Sequence, residues 1–205
     1  MYNKIVIIDY SAGNLRSVVN AVKHLSYQPE VTSEPAKVRG ADAVILPGVG
    51  AAADTMANLK RLELVEPIHE VINRGTPFLG VCIGLQVLFA HTDEGGEHRC
   101  LGVVPGRVRR LPEGLKVPHM GWNQVRQVNP HAVFDGIPDN TNFYFVHSYY
   151  GQPEDSAVVA GVTDYSVEFC SVLVKDNLVA TQFHPEKSGE MGLRFYENFF
   201  KSNLD

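Results

Sequence analysis

The sequence has 205 residues, of which 44% are hydrophobic and 20% are charged, and these values are typical of a globular protein with one domain. Its formal net charge of −5 argues against a nucleic-acid-binding protein, which needs a basic face to meet phosphates. No apolar run approaches the roughly 18 residues of a membrane span. The three cysteines are scattered and none lies in a Cys-x-x-Cys pair, so the sequence favours neither a disulfide framework nor a metal site.

The first half of the chain alternates between strand and helix patterns. Its first residues lead directly into a strand, without the charged and apolar regions of a signal peptide, so we predict a cytoplasmic protein. Apolar runs predict buried strands of a parallel sheet at residues 4–9, 30–32, 41–46 and 78–81. Apolar residues at helical spacing predict helices over residues 14–25, 56–62 and 64–72, the last of them ended by Gly75.

The second half is richer in short β segments. Residues 91–99 are polar and contain glycines, so we predict a loop there. Strand patterns lie within residues 101–128 and at residues 142–147, 157–162, 168–174 and 178–183. Asp176-Asn177 is a hairpin signal between the last two, and an amphipathic helix ends the chain. We predict one α/β domain over residues 1–205, with a mostly parallel central sheet flanked by helices and an additional antiparallel β portion.

A cysteine stands at the end of the fourth predicted strand, in Gly80-Val81-Cys82-Ile83-Gly84. An apolar strand before it and a helical pattern behind it (Leu85, Leu88 and Phe89) indicate a sharp nucleophile elbow. The glycines lack a Cβ that would clash at such a turn, and the helix N-terminus favours a thiolate. The alternative is a small buried cysteine without chemistry, which is common in proteins.

A base for this cysteine is predicted at the end of the last strand, in His184-Pro185-Glu186. A cysteine nucleophile needs a base for its proton, and the base needs a carboxylate that orients it. His184 and Glu186 fit these roles if Pro185 bends the chain so that both side chains face the same way. The alternatives are a surface turn and a second candidate base, His147, which also ends a strand pattern.

Backbone N–H groups are predicted to meet the oxyanion that forms when a carbonyl is attacked. Ile83, the residue after the cysteine, is the expected first donor. The second is expected from Pro47-Gly48-Val49-Gly50, whose glycines allow a ligand to approach the backbone. A simple turn is the alternative for this loop. The loop follows the third strand, so it shares the carboxyl edge of the sheet with Cys82.

With these three parts in place, the chain resembles the class I, triad-type glutamine amidotransferases. The motifs that carry the resemblance are Pro47-Gly48-Val49-Gly50, Gly80-Val81-Cys82-Ile83-Gly84-Leu85-Gln86 and His184-Pro185-Glu186. Within this family it is similar to the glutaminase subunit of imidazole glycerol phosphate synthase, and the motifs are Asp9-Tyr10-Ser11-Ala12-Gly13-Asn14-Leu15, Leu101-Gly102-Val103-Val104-Pro105-Gly106-Arg107-Val108, Pro118-His119-Met120-Gly121-Trp122-Asn123 and Tyr144-Phe145-Val146-His147-Ser148-Tyr149-Tyr150.

The resemblance implies hydrolysis of L-glutamine to glutamate and ammonia without a cofactor or a metal. The ammonia would pass to a cyclase subunit, a (β/α)₈ barrel, in histidine biosynthesis. The implied nucleophile is Cys82, with His184 as base and acid, Glu186 as its orienter and the backbone of Gly50 and Ile83 as oxyanion site. The implied substrate-binding residues are Gln86, Glu94, His147, Ser148 and Tyr149. The implied partner-facing residues are Asn14, Met120, Trp122 and Lys187.

Two of the partner-facing residues also stand out by their chemistry. A lone Trp122 and Met120 lie in a stretch flanked by glycine and proline, and both residue types are common interface anchors. The alternative is that both pack in the core. Ammonia escapes into water or is protonated, so an enzyme that supplies it to another reaction is expected to abut the acceptor enzyme.

Three other functions remain open at the level of sequence. One is a glutaminase subunit of another class I enzyme, such as pyridoxal-phosphate synthase, and the Met120-Gly121-Trp122-Asn123 motif argues against it. Another is a cysteine hydrolase or peptidase built on the same elbow, which Gln86 and the position of His184 disfavour. The third is a binding module whose Cys82 is structural.

Overall fold

A computed structural model describes residues 4–11 and 13–204. The predictions that fall on residues 1–3, on Ala12 and on Asp205 lie outside the described residues. The strands are β1 (Ile5–Ile8), β2 (Glu30–Thr32), β3 (Ala43–Leu46), β4 (Phe78–Val81), β5 (Phe89–Thr92), β6 (His98–Arg99), β7 (Val104–Arg110), β8 (His119–Gln127), β9 (Thr141–His147), β10 (Tyr149–Pro153), β11 (Val159–Asp164), β12 (Glu168–Lys175) and β13 (Leu178–Thr181). The helices are α1 (Leu15–His24), α2 (Pro35–Arg39), α3 (Ala52–Arg61), α4 (Val65–Asn73), α5 (Ile83–Gln86) and α6 (Gly189–Leu204).

Nine strands form one mixed sheet in the order β2-β1-β3-β4-β13-β12-β11-β8-β9. The pairs from β2 to β13 are parallel, and the pairs from β13 to β9 are antiparallel. This arrangement confirms the predicted α/β fold, and the antiparallel portion continues the parallel sheet from β13 onwards. The register Val81 to Thr181 aligns the ends of β4 and β13, so the segments that follow them start at the same edge.

The apolar strands of the parallel half are buried on both faces. Alternate residues of β1 point to opposite sides: Val6 and Ile8 pack with α3 and α4, whereas Ile5 and Ile7 pack with α1 and α6. Because both faces are covered by helices, these strands show a continuous apolar run instead of alternation. The continuous apolar runs in the sequence therefore indicate a sheet with a helical layer on each face.

The predicted loop at residues 91–99 is wrong in part, because strands occupy both of its ends. β5 pairs in parallel with β7, and β6 pairs with β5, in a second sheet of order β10-β7-β5-β6. The turn between β5 and β6 contains Gly95 and Gly96, both with positive φ. The pairing partner of β5 lies further along the chain, so local polarity concealed the strands.

The elbow has the predicted sharp turn, but the helix behind it is shorter than predicted. Cys82 has φ 54° and ψ −103°, and α5 spans a single turn before Phe89 opens β5. A Cβ at Gly84 would overlap the carbonyl oxygen of Leu46, and one at Gly80 would lie 2.9 Å from the carbonyl oxygen of Gly84. The glycines are therefore required by close packing. A one-turn helix has a smaller dipole than the sequence pattern suggested.

Candidate active site

A cavity of about 250 Å³ opens at the carboxyl edge of the parallel strands, beside Cys82. Its lining gathers the predicted oxyanion and substrate-binding residues, and the full lining is Val49, Gly50, Cys82, Ile83, Gln86, Glu94, Pro118, Val146, His147, Ser148 and Tyr149. A larger cavity of about 530 Å³ lies at the opposite edge, around Arg74 and Lys175. That larger cavity has no thiol in its lining, and a third cavity of about 480 Å³ is lined by Cys170, whose pKa is raised to about 12 by burial, so the cavity beside Cys82 is the candidate active site.

The chain brings His184 to Cys82 through the pairing of β4 with β13. The N–H of Cys82 donates to the carbonyl oxygen of Thr181 at 2.7 Å, and His184 follows three residues later. The N–H of His184 donates to the carbonyl oxygen of Tyr144 at 2.9 Å, which fixes the segment to β9. The approach of these two side chains therefore follows from the topology of the sheet.

Glu186 lies against the far side of the His184 ring. A single 3₁₀ turn, Pro185–Lys187, reverses the chain after His184, and proline starts it with a favourable φ. The Oε1 of Glu186 lies 2.8 Å from Nδ1 of His184, and each side chain is 1% exposed. A carboxylate so placed accepts the Nδ1 proton and directs Nε2 towards Cys82.

The surroundings of His184 favour its charged form. Burial is the largest influence and lowers the pKa of His184, but interactions with Cys82 and then with Glu186 outweigh it and raise the pKa to about 10. Within the described chain, Nε2 of His184 has no hydrogen-bond partner of good geometry. The sulfur of Cys82 is nevertheless close enough to contribute to the pKa of His184. The pair is thus arranged for transfer of a proton between sulfur and imidazole.

Asn14 holds Glu186 in place and Tyr196 lies beside it, and neither contact was predicted. Asn14, which precedes α1 with φ 71°, donates from Nδ2 to Oε1 of Glu186 at 2.9 Å. The hydroxyl of Tyr196, a buried residue of α6, lies near the carboxylate without a hydrogen bond of good geometry in the described chain. Burial, followed by the charge and hydrogen bonding of Glu186, raises the pKa of Tyr196 well above its ordinary value. Asn14 is 172 residues away from Glu186, so no local pattern could reveal this contact.

The glycine-rich loop after β3 lies beside Ile83 at the cavity. Gly50 has φ +108°, a conformation that L side chains rarely adopt. A Cβ at Gly48 would overlap the hydroxyl of Tyr10 and a methyl group of Ile83. The loop therefore needs glycine for two reasons, backbone conformation at Gly50 and close packing at Gly48, and both keep its backbone against the cavity.

Comparison with known proteins identifies the family. The family model "Glutamine amidotransferase class-I" matches residues 6–203. Imidazole glycerol phosphate synthase subunit HisH of Dehalococcoides mccartyi (strain CBDB1) is 54% identical over 200 residues, which cover 98% of each chain. HisH of Moorella thermoacetica is 54% identical over 195 residues, covering 95% of this chain and 93% of the relative. The chain belongs to the class I glutamine amidotransferase family.

The fold of this amidotransferase also matches that of a distant solved structure. PurLQS from Thermotoga maritima superposes with a TM-score of 0.79, covers 98% of this chain and 99% of its own, and is 17% identical. At that identity the match supports the fold alone. It agrees with the mixed sheet and its helical layers described above.

Within the amidotransferase cavity, amide side chains connect the wall to the nucleophile. Gln86 donates from Nε2 to the carbonyl oxygen of Tyr149 at 2.8 Å and lies 3.1 Å from Oε1 of Gln182. Gln182 in turn donates from Nε2 to Sγ of Cys82 at 3.7 Å. Sequence reasoning missed Gln182, and the available signal was a polar residue within the predicted strand 178–183; in the structure β13 ends at Thr181 and Gln182 follows it.

Glu94 lies at the rim of the same cavity. Its Oε2 accepts the N–H of Ala52, at the first turn of α3, at 2.7 Å. This bond orients the carboxylate although Glu94 belongs to the turn between β5 and β6. Ser148, another predicted pocket residue, is held through its carbonyl oxygen, which accepts the N–H of Leu111 at 2.9 Å.

His147, the second candidate base, is already engaged on both ring nitrogens. Nδ1 lies 2.9 Å from the carbonyl oxygen of Tyr149, and Nε2 lies 3.0 Å from Nδ1 of His119. Burial is the main reason that its pKa falls to about 3. In the described chain Nε2 of His184 has no hydrogen-bond partner of good geometry, and Cys82 raises the pKa of His184, which favours His184 over His147 as the base.

The predicted partner-facing residues other than Asn14 lie on the surface. Met120 and Trp122 are 62% and 58% exposed, which rules out the alternative that they pack in the core. The Trp122 ring meets the Tyr144 ring edge-on at 6.1 Å between centroids, and Nζ of Lys187 lies 5.7 Å from the Tyr144 centroid. We call Met120, Trp122, Tyr144 and Lys187 the β8–β9 face.

The described residues contain neither a cluster of metal ligands nor a membrane-spanning helix. No group of three or more His, Cys, Asp or Glu side chains there could hold a metal ion. None of the helices described is both long enough and apolar enough to cross a bilayer.

Proposed function

We propose that this chain hydrolyses L-glutamine to glutamate and ammonia through Cys82, His184 and Glu186. The observation that carries the proposal is the buried His184–Glu186 pair, 2.8 Å apart, coupled to a cysteine at a strained elbow. Membership of the glutamine amidotransferase family supports the same reaction. The relatives named as HisH favour imidazole glycerol phosphate synthase over pyridoxal-phosphate synthase as the parent enzyme.

The reaction follows from the roles of the three side chains. His184 takes the proton of Cys82, and the sulfur attacks the carboxamide carbon, which becomes tetrahedral with a negative oxygen. In this proposal, the N–H groups of Gly50 and Ile83 stabilise that oxygen. His184 then gives its proton to the leaving nitrogen. The carbon–nitrogen bond breaks, and ammonia and a thioester result.

Water completes the cycle. His184 removes a proton from a water molecule, whose oxygen attacks the thioester carbon and forms a second tetrahedral oxyanion. The carbon–sulfur bond breaks, glutamate leaves, and the proton on His184 returns to the sulfur of Cys82. Glu186 keeps Nδ1 of His184 protonated throughout, so Nε2 is the nitrogen that exchanges protons.

The remaining predicted residues are proposed to bind the substrate. Glu94 is suited to the α-ammonium group of glutamine because its carboxylate lines the cavity and is oriented by Ala52. Gln86, His147, Ser148 and Tyr149 form the wall on the side of Cys82. Since the side-chain nitrogen of Gln86 is engaged by Tyr149 and Gln182, we infer that Gln86 mainly shapes the wall.

We further propose that the chain works in a heterodimer with a cyclase subunit of (β/α)₈ barrel fold, to which it delivers ammonia. The relatives are named as synthase subunits, and the β8–β9 face offers exposed Met120 and Trp122 beside Lys187. Asn14 would lie at the edge of this contact.

All three cysteines are free, which suits a reducing compartment, so we propose the cytoplasm. We also infer that residues 1–205 act as one domain.

The decisive experiment removes the thiol. In a complex of this chain with a cyclase partner, Cys82→Ala should abolish release of glutamate from glutamine, because no nucleophile remains. The same complex should still form imidazole glycerol phosphate when ammonium is supplied. Cys100→Ala, which removes a thiol outside the cavity, is the matched control and should retain both activities. Loss of both activities in a folded Cys82→Ala complex would argue against the proposal.

A further inference from the structure

Two buried histidines form a hydrogen-bonded chain that ends at the wall of the candidate active site. His119 on β8 and His147 on β9 face each other across the antiparallel pair and are 3% and 5% exposed. Nδ1 of His119 lies 3.0 Å from Nε2 of His147. Nε2 of His119 lies 3.3 Å from Nδ2 of Asn123, and Nδ1 of His147 lies 2.9 Å from the carbonyl oxygen of Tyr149.

The carbonyl oxygen of Tyr149, at the end of this row of hydrogen bonds, determines which ring nitrogen of each histidine carries a proton. A carbonyl oxygen only accepts, so Nδ1 of His147 carries a proton. Burial lowers the pKa of His147 to about 3 and that of His119 to about 4, so both rings are neutral near pH 7. Nε2 of His147 is then an acceptor, and Nδ1 of His119 is its donor.

The outer end of the chain agrees with this assignment. With its proton on Nδ1, a neutral His119 has an acceptor at Nε2, and Nδ2 of Asn123 is a donor. Nδ2 of Asn123 also donates to the carbonyl oxygen of Asp164 at 3.0 Å, which supports the orientation of this amide. Each link therefore joins one donor to one acceptor, in a single direction from β8 to Tyr149.

The inner end of the chain touches the proposed reaction centre. The carbonyl oxygen of Tyr149 accepts from Gln86 as well as from His147, and all three residues line the cavity. Gln86 continues through Gln182 to Sγ of Cys82. Displacing the Tyr149 carbonyl would therefore move the cavity wall and the amides beside the sulfur.

We propose that His119 is a positioning residue for the glutamine pocket: by donating to His147 it fixes that ring in one tautomer, and His147 fixes the Tyr149 carbonyl. This proposal deepens the proposed glutaminase function and rests on it for its kinetic consequence. His119 itself does not line the cavity, so it acts on the substrate only through His147.

The hydrogen bonds of the His119 ring nitrogens can be tested separately from the packing of the ring. Its ring stacks on Tyr165 at 3.9 Å and on Phe145 at 4.9 Å between centroids. Phenylalanine can occupy the same stack without donating or accepting. Asparagine retains an N–H near the position of Nδ1. His119→Phe therefore removes the donor, and His119→Asn is expected to restore it.

The first experiment does not depend on enzymatic activity. Long-range ¹H–¹⁵N NMR spectra of the isolated chain near pH 7 report the tautomer of each histidine. We expect the Nδ1–H tautomer at both His119 and His147. In His119→Phe the signals of His147 should shift or broaden because its acceptor has no donor. An Nε2–H tautomer or an imidazolium at either residue would overturn the proposal.

The second experiment measures glutamine hydrolysis by the complex with the cyclase partner. His119→Phe should raise KM for glutamine about tenfold, with a smaller change in kcat, because a buried acceptor loses its donor while the nucleophile remains. His119→Asn should recover most of the KM. His24→Phe, at an exposed histidine near the end of α1, is the control and should resemble the unmodified chain.

The outcomes separate this proposal from the proposed function. If the unmodified complex releases no glutamate, the glutaminase function fails, whereas the NMR spectra still decide the tautomers. If the folded His119→Phe complex keeps its KM, the positioning role is wrong even though glutamine is hydrolysed. Should His119→Phe not fold, Asn123→Ala removes the outer donor instead. It should then give His119 mixed tautomers and raise KM, and unchanged tautomers and KM would overturn the proposal.

Discussion

The protonation of His184 depends on its two neighbours, and Glu186 is the one that can be altered without removing the nucleophile. Glu186→Gln retains the shape of the side chain but removes the charge that helps to raise the pKa of His184 to about 10. We therefore expect the pKa of His184 to fall. The amide can also present N–H to Nδ1, which favours the wrong tautomer.

The expected consequence is a loss of glutaminase kcat of about 10²–10⁴, the range typical of general acid–base catalysis. The measurement combines steady-state kinetics with an NMR titration of His184. Glu190→Gln, an exposed change in the first turn of α6, is the control and should alter neither quantity. A Glu186→Gln enzyme with normal kcat would exclude Glu186 from the mechanism.

At the scale of elements, the elbow depends on the close approach of β3 and α5. A Cβ at Gly84 would overlap the carbonyl oxygen of Leu46, which belongs to the central sheet and cannot move freely. Gly84→Ala should therefore destabilise the fold by about 3 kcal/mol, at the upper end of the cost of overpacking. Urea denaturation of the isolated chain measures this change in the free energy of unfolding.

A matched glycine makes the steric argument specific. At Gly40, which ends α2, an added Cβ would find its nearest neighbours at 3.5 Å or more, which is ordinary contact. Gly40→Ala should change the free energy of unfolding by less than about 1 kcal/mol. Equal effects of Gly84→Ala and Gly40→Ala would mean that the contact with Leu46 does not constrain the elbow.

The elements that the sequence predicted correctly are those with a strong local signal. Buried strands such as β1 and β3 show continuous apolar runs, and α1 shows helical spacing. Among the missed elements, β5 is defined by pairing with the distant strand β7 and β6 by pairing with β5, so local polarity did not indicate either strand. The helix after Cys82 was predicted too long because Leu88 and Phe89 continue the helical spacing although β5 begins at Phe89.

The residues of the candidate site also fall into those that the sequence could predict and those that only the structure reveals. Cys82, His184 and Glu186 could be predicted because strand ends of a parallel sheet converge, and motifs mark those ends. The contact from Asn14 to Glu186 joins residues at opposite ends of the chain, so only the folded structure reveals it. The tautomers of His119 and His147 depend on the carbonyl oxygen of Tyr149, which has no signal in the sequence.

At the scale of the whole molecule, buried histidines give stability a defined dependence on pH. Burial lowers the pKa of His119 from 6.5 to about 4 and that of His147 from 6.5 to about 3. As the pH falls, these histidines therefore become protonated in the unfolded chain before they do so in the folded chain. Stability should therefore decrease as the pH falls below 6.5. His184 acts in the opposite direction: its pKa is raised, so its contribution is complete below pH 6.5 and is lost as the pH rises through about 10.

Urea unfolding at a series of pH values tests this balance. The free energy of unfolding should fall between pH 6.5 and pH 5, before most carboxylates begin to titrate. His119→Phe should reduce that slope because it removes one of the buried neutral rings. If the free energy of unfolding is constant over this interval, or if His119→Phe leaves its slope unchanged, the buried pair does not control acid sensitivity.

The β8–β9 face tests whether this molecule is built to work with a partner. Trp122 is 58% exposed and is supported by Tyr144, which also carries Lys187 above its ring. An exposed tryptophan held rigidly at low entropic cost is typical of an interface residue that contributes much binding free energy. Trp122→Ala should therefore raise the Kd for the cyclase partner by at least about 30-fold, as measured by calorimetry.

Val31→Ala is the control for this prediction. Val31 is also exposed, at 41%, but it lies on β2 at the opposite edge of the large sheet. It should leave the Kd unchanged, and both variants should keep the unfolding free energy of the isolated chain, since neither side chain is buried. If Trp122→Ala and Val31→Ala bind the cyclase equally well, the partner must dock on a surface other than the β8–β9 face.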